Sequence, residues 1–265
     1  MSNKGIVFFD VDGTLIDCFK GITKPTEKTR ESIKKLKENG YLTMLATGRS
    51  KSCLDEGLLS LGLDGYITSN GSYADIDDKI IFSYPINKEK LVEIVEYLNE
   101  NNMDYILEGQ ELNYLSSSNN EKLNDLLKGA NIGQDVLTDK WDINDIECNK
   151  IIAIINTEDD YNKTVEKYSE EFAFMKHPYG ISFEIYKSEY TKGYGVTELA
   201  DRLQINMENT YAFGDGENDI EMFQAVKHGI AMGGYHELLE EHAYDFTEDV
   251  ENEGITKGLK KLGLI

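Results

Sequence analysis

Asp10 and Asp12 stand one residue apart, directly after the apolar run Ile6-Val7-Phe8-Phe9. An apolar run of that length, bounded by polar residues, predicts a strand buried on both faces, as in a parallel sheet. Residues i and i+2 of a strand share a face, so the two acids leave the sheet edge together, and Gly13 lets the backbone turn closely there. Paired acids at the end of a buried strand repel each other unless a divalent cation or a shared proton compensates. The competing reading is an acidic turn, because Asp-Gly is a common turn pair.

Three further polar clusters fall where strands end or helices begin: Thr47-Gly48-Arg49, Lys192-Gly193, and Asp215 with Asn218 and Asp219. In open α/β sheets the ligand crevice lies outside the carboxyl ends of the strands, so distance in sequence does not keep these clusters apart. Each has a plain alternative: a helix cap, a surface lysine, a glycine turn. Together the inventory suits phosphoryl transfer. Asp10 has the chemistry of a carboxylate nucleophile towards phosphorus. Mg²⁺ prefers hard oxygen ligands, which Asp10 and Asp215 supply, with Asp219 in support. Thr47 and the free amides of the following helix start can donate to phosphate oxygens, and Lys192 adds positive charge. Asp12 is then free to serve as general acid and later as general base.

The elements expected to carry these groups alternate. Pro25 sets a helix start, Ile33 and Leu36 mark its apolar face and Gly40 ends it. Tyr41 to Ala46 reads as a second buried strand, a helix is expected through Leu54, Leu58 and Leu61, and Gly65 to Ser69 gives a third strand ending at Asn70-Gly71. Such repetition predicts an α/β fold with right-handed crossovers, a Rossmann-like parallel-sheet core. The style then changes. Tyr73 to Ile76 and Ile80 to Tyr84 flank Asp77-Asp78-Lys79 as a hairpin. Residues 85–189 read as an inserted α+β domain, with an amphipathic helix on Leu91, Ile94, Val95 and Leu98 and a buried strand from Ile151 to Ile155. Ile181, Phe183 and Ile185 alternate with Ser182, Glu184 and Tyr186, which predicts a half-exposed antiparallel strand. After residue 190 the alternating style returns, with a helix on Val196, Leu199, Ala200 and Leu203, short strands at Tyr211–Phe213 and Gly229–Met232, and a final helix. The division expected is 1–84 with 190–265 as one domain and 85–189 as the other.

The chain has 265 residues and a formal net charge of −22. That balance argues against nucleic acid or an anionic membrane as partner, and an anionic substrate has to be drawn in by local cations. Cys18, Cys53 and Cys148 are odd in number and far apart, which fits free thiols; Cys18 is expected to be buried and inert. The first strand begins close to Met1, leaving no room for a secretory signal, and no apolar run approaches the roughly 18 residues of a membrane span, so a cytoplasmic location is expected. His177, His228, His236 and His242 show no metal-ligand spacing.

Asp10-Val11-Asp12-Gly13-Thr14-Leu15, Thr47-Gly48-Arg49, Lys192-Gly193 and Gly214-Asp215-Gly216-Glu217-Asn218-Asp219 resemble, in order, the four motifs of the haloacid dehalogenase superfamily, and the match is most similar to its Cof-like sugar-phosphatase branch. The resemblance implies a Rossmann-like core, Mg²⁺ dependence and phosphatase activity on small phosphorylated metabolites through an aspartyl-phosphate. It implies Asp10 as nucleophile and Asp12 as acid/base. It sets Thr47, Gly48, Lys192 and Asn218 towards the phosphate. Asp10, Asp12 (through its backbone carbonyl), Asp215 and Asp219 are set towards the metal. The long stretch between Thr47 and Lys192 then resembles the family's class-two α/β cap, whose Glu184 and Tyr186 are candidates for facing the substrate. A phosphomutase of the same superfamily and a non-catalytic phosphometabolite sensor are the alternatives. One departure is visible: the family often reads Met-Gly-Asn-Ala where this chain has Met232-Gly233-Gly234-Tyr235, which puts a loop contact near the site in question.

Overall fold

A computed structural model of the protein describes residues 3–118, 120–129, 132–177 and 180–265. The chain divides into two compact units, one of Met1–Gly48, Glu56–Ser83 and Tyr190–Ile265, the other of Arg49–Asp55 and Tyr84–Glu189. The short segment 49–55, grouped with the first domain in the sequence reading, packs with the second.

In chain order the strands are β1 (Gly5–Phe9), β2 (Tyr41–Ala46), β3 (Gly65–Thr68), β4 (Tyr73–Ile76), β5 (Lys79–Ser83), β6 (Tyr105–Glu108) and β7 (Asn113–Leu115). They continue with β8 (Leu137–Thr138), β9 (Lys150–Ile154), β10 (Phe172–Lys176), β11 (Ser182–Lys187), β12 (Thr210–Gly214), β13 (His228–Ala231) and β14 (Asp245–Phe246). The first unit holds one eight-stranded sheet in the order β14-β13-β12-β1-β2-β3-β4-β5. Six of these strands run parallel, from β14 to β3, and the β4–β5 hairpin adds antiparallel at one edge. β1 sits in the middle, and Ile6 to Phe9 are wholly buried, as expected of a parallel strand covered on both faces.

Helices confirm the period-based reading with local changes. The first runs Glu27–Glu38 and is capped by Thr26, whose side chain accepts the Thr29 N–H, so Pro25 lies before the cap and not at the first helical position. Between β2 and β3 the expected helix is reduced to a 3-10 turn at Lys51–Cys53 and a four-residue helix at Glu56–Leu59. Leu54 lies outside both. Asp77 and Asp78, both at positive φ, make the two-residue turn between β4 and β5.

The second unit is a six-stranded sheet in the order β10-β11-β9-β6-β7-β8, antiparallel apart from the β7–β8 pair. One face, carrying Leu107, Ile151 and Phe183, packs with the buried side chains Leu91, Ile94 and Leu98 of the helix Lys88–Glu100. The other, carrying Ile106, Ile152 and Ile154, packs with Leu123 and Leu127 of the helix Glu121–Gly129. β11 lies between β10 and β9, and Ser182, Phe183, Glu184 and Ile185 are all buried. The half-exposed strand read from its alternation is therefore a strand with both faces covered at that end, its second face polar because it meets polar neighbours and not water. Cys18 also departs from expectation: it is exposed, whereas Cys53 and Cys148 are buried, and all three are free thiols. Among the described residues no helix is long and apolar enough to cross a membrane.

The return of the chain into the first unit is fixed by backbone packing. After β3, Ser69, Asn70 and Gly71 take three successive positive φ values of 50°, 54° and 89°. A Cβ on Gly71 would lie 2.0 Å from the Thr191 carbonyl oxygen, and one on Gly195 would lie 2.8 Å from the Gly71 Cα. The turn thus meets the first turn of the helix Lys192–Arg202, whose cap is Thr191, with no room for a side chain. Gly71→Ala adds a left-handed strain and a backbone clash at once. It is expected to destabilise the fold by about 2 kcal/mol or more, read as a lowered thermal midpoint; an unchanged midpoint would contradict this packing.

Candidate active site

β1, β2 and β12 are neighbouring parallel strands, and each is followed by one of the polar clusters. Asp10 follows β1, Thr47 follows β2 and Asp215 follows β12. The Asp10 N–H donates to the Phe213 carbonyl at 2.9 Å and the Thr47 N–H to the Ile67 carbonyl at 3.0 Å, so both residues leave their strands still tied to the sheet. Lys192 enters from the first turn of its helix.

These elements bring one ligand oxygen each of Asp10, Asp215 and Asp219 within 4.8 Å of one another. Lys192 Nζ, 1% exposed, donates to Asp10 Oδ1 at 2.6 Å and to Asp219 Oδ1 at 2.7 Å. Asp219 also accepts the backbone N–H groups of Asp215 and Gly216 on Oδ2, both at 2.9 Å. Its carboxylate therefore serves as the clamp that shapes the Gly214–Asp219 turn while holding the lysine. Asp215 accepts the Thr14 hydroxyl at 3.0 Å. Gly13, at φ +85°, passes so close to Asp215 that a Cβ there would lie 2.0 Å from its Oδ2. This is why the position after the two acids lacks a side chain.

One ammonium faces three carboxylates, and the electrostatics follow. Burial, and then the neighbouring charge of Asp219, push the Asp10 carboxyl well above the ordinary range against the opposing pull of Lys192. Burial and Asp219 push Asp215 up to about 7, with Thr14 and Lys192 opposing. Burial alone would discharge Lys192, but Asp10 and Asp219 outweigh it and hold the ammonium protonated. The site is short of positive charge, and its donors are hard oxygens; Asp10, Asp215 and Asp219 thus fit a divalent cation such as Mg²⁺.

The remaining expected residues are placed as follows. Asp12 is exposed and lies outside the three-carboxylate group. Thr47 is buried, and a Cβ on Gly48 would lie 2.7 Å from Asn70 Oδ1. Asn218 is exposed on the turn after β12, its Oδ1 2.7 Å from where a Cβ on Gly216 would sit. Glu184 and Tyr186 belong to the second unit; Glu184 is buried and ion-paired to Lys150 at 2.7 Å, and Tyr186 is half-buried. Residues without an assigned role in the sequence reading also matter. Thr14 stood within a quoted motif but acquires its place only through its bond to Asp215. Asn70, buried with its Nδ2 unpartnered, read only as a strand end, although Asn-Gly is itself a signal for left-handed backbone. At the departure from the family pattern, Gly234 sits at φ +85° in open space, and two residues on the His236 N–H donates to the Asp215 carbonyl at 2.7 Å.

A family model described as haloacid dehalogenase-like hydrolase matches residues 7–259. The chain belongs to that family. A Bacillus subtilis (strain 168) protein named "Putative phosphatase YkrA" is 27% identical over 262 residues, covering 98% of each chain. Another from the same organism, named 5-amino-6-(5-phospho-D-ribitylamino)uracil phosphatase YwtE, is 26% identical over 286 residues and 97% of each. Among solved structures, a hypothetical protein of Geobacillus kaustophilus HTA426 superposes with a TM-score of 0.90 at 27% identity, over 99% of this chain and 100% of that one. The subclass IIB sugar phosphatase BT4131 superposes at 0.81 with 24% identity, over 99% and 100%, and shares the fold.

The raised Asp215 carboxyl sets a pH dependence. Its folded value of about 7 lies above the ordinary 3.8, so the native state holds more protons than the unfolded one between these values, and its contribution to stability falls as pH rises through that window. A bound divalent cation needs the ionised form and reverses the loss. Saturating Mg²⁺ should therefore raise the thermal midpoint by roughly 3 °C or more at about pH 8 and by clearly less at about pH 5, with Asp215→Asn removing most of the difference. Equal shifts at both pH values would count against this assignment.

Proposed function

We propose that this hydrolase is a Mg²⁺-dependent phosphatase of small phosphorylated metabolites, working through an aspartyl-phosphate on Asp10. The observation that carries the reading is the buried meeting of Asp10, Asp215 and Asp219 around Lys192 at the carboxyl ends of β1 and β12. In the first half-reaction an Asp10 carboxylate oxygen forms a bond to phosphorus as the bond from phosphorus to the ester oxygen breaks. Asp12 gives its proton to the departing alkoxide. In the second, Asp12 takes a proton from water as that water attacks the aspartyl-phosphate, releasing phosphate and restoring Asp10. Thr47, the Gly48 amide, Asn218 and Lys192 are the groups proposed to hold the phosphate oxygens. Mg²⁺, held by Asp10, Asp215 and Asp219 with the Asp12 carbonyl, supplies neutralisation of the charge that gathers between an anionic nucleophile and an anionic ester.

The acid/base role suits an exposed Asp12, since a proton carrier has to reach both the leaving alcohol and water. Lys192 has a second duty: with a chain charge of −22, it is the local cation that admits an anionic substrate. The second unit, residues 85–189 in the sequence reading, is proposed to select the ester.

Asp10→Asn should lower turnover of an aryl phosphate by about 10⁴-fold or more while leaving the fold intact, and brief mixing of the unaltered enzyme with radiolabelled substrate should leave label on Asp10. Near-normal turnover in Asp10→Asn would overturn the mechanism.

A further inference from the structure

Strands β2 and β3 lie side by side, with Ala46 opposite Ile67, so the turns that follow them are neighbours. Thr47 is held from two directions. Its N–H donates to the Ile67 carbonyl at 3.0 Å, and its own carbonyl accepts the Asn70 N–H at 3.3 Å. Asn70 also sends its side chain back to the same turn. The carboxamide takes the room that a side chain at position 48 would need: a Cβ there would lie 2.7 Å from Asn70 Oδ1 and 3.8 Å from Nδ2. The turn that carries Asn70 is itself closed by Ser72, whose N–H and hydroxyl donate to the Ser69 carbonyl at 3.3 Å and 3.0 Å. The next residue, Gly71, is seated against the Thr191 carbonyl, one residue before Lys192. A single left-handed turn thus meets both the Thr47–Gly48 turn and the start of the lysine's helix.

Stability does not account for the Asn70 side chain. The residue is 5% exposed, and its Nδ2 is buried with no hydrogen-bond partner, a state that costs free energy. Its backbone lies at φ 54° and ψ 36°, the left-handed region that asparagine tolerates and glycine enters with no steric cost. Glycine at this position would keep the backbone and shed the unpartnered donor. What it would lose is the contact with position 48. With no side chain on either residue, the peptide after Thr47 gains room to rotate.

We propose that Asn70 is a positioning residue for the phosphate group. Its N–H and its carboxamide together hold the Thr47–Gly48 turn at the angle from which the Thr47 hydroxyl and the Gly48 amide donate to phosphate oxygens. Asn70 acts through those two residues and not on the reacting atoms. The assignment rests on Thr47 and Gly48 holding phosphate, as proposed above.

Turnover of p-nitrophenyl phosphate with Mg²⁺, with inorganic phosphate as competing product, tests it. Asn70→Gly should raise KM and the phosphate inhibition constant together by about tenfold, while kcat falls by less than about threefold. Its thermal midpoint should stay within about 3 °C of the unaltered protein. A side chain that only stabilised the fold would, on removal, lower the midpoint and the amount of active enzyme and leave KM where it was. Gly48→Ala should also raise KM, by pressing a methyl group against Asn70 Oδ1. Adding Asn70→Gly removes that clash, so the double variant should bind phosphate at least as well as Asn70→Gly alone, and not with the product of the two losses. An unchanged KM in Asn70→Gly, a midpoint lowered well beyond that range, or fully multiplicative losses in the double variant would overturn the proposal. If the unaltered chain releases no phosphate, the phosphatase reading fails and this assignment with it. If it does and Asn70→Gly behaves identically, the role of Asn70 alone is refuted.

Discussion

Repulsion among Asp10, Asp215 and Asp219 is the constraint around which the first unit is arranged. Three carboxylates within 4.8 Å of one another, largely removed from water, oppose folding, and the single buried ammonium of Lys192 offsets only part of that opposition. The scaffold holds them together nonetheless because each is tied to something rigid. Asp10 continues the central strand, Asp219 is fixed by two backbone N–H groups, and Asp215 is held by Thr14 against a residue without a side chain. The geometry is thus set before any ligand arrives, which is what a site for developing charge requires.

Much of this was legible in the sequence, for a specific reason. Strand ends in a parallel sheet coincide with changes of composition, so Phe9/Asp10, Ala46/Thr47 and Gly214/Asp215 announced themselves as junctions between apolar runs and polar turns. The parallel sheet followed from the same alternation, while the order of its strands came only with the structure. What the sequence did not show depends on contacts between distant residues. Thr14 looks like any turn threonine until Asp215 is placed beside it. The backbone approach between Gly71 and Thr191 joins segments that the whole insertion separates.

The second unit was less readable because its burial is two-sided. Period-2 alternation in Ile181 to Tyr186 signals one apolar and one polar face, and a polar face ordinarily means water. Here Glu184 and Ser182 are as buried as their apolar neighbours, since Lys150, Glu108 and His177 take the place of solvent. Hydropathy cannot distinguish a wet polar face from a dry one; only the arrival of a countercharge from another strand decides it. The shortened helix between β2 and β3 has a similar origin, since Ser52 bonds the Gly109 carbonyl and the Lys51 N–H donates to Gln110, drawing that segment into the second unit's own structure.

The glycine contact at the chain's return acts on the catalytic charge through a very short piece of backbone. The insertion leaves after Ser83, and Lys192 follows only two residues after re-entry at Tyr190. Within those few residues the backbone is seated against Gly71, and the lysine's helix begins. That seat fixes where the lysine's helix starts, and with it the charge that the three acids depend on. The joint works as a mechanical stop: a chain returning from more than a hundred residues away is halted against bare backbone, and the lysine's position is set by that halt.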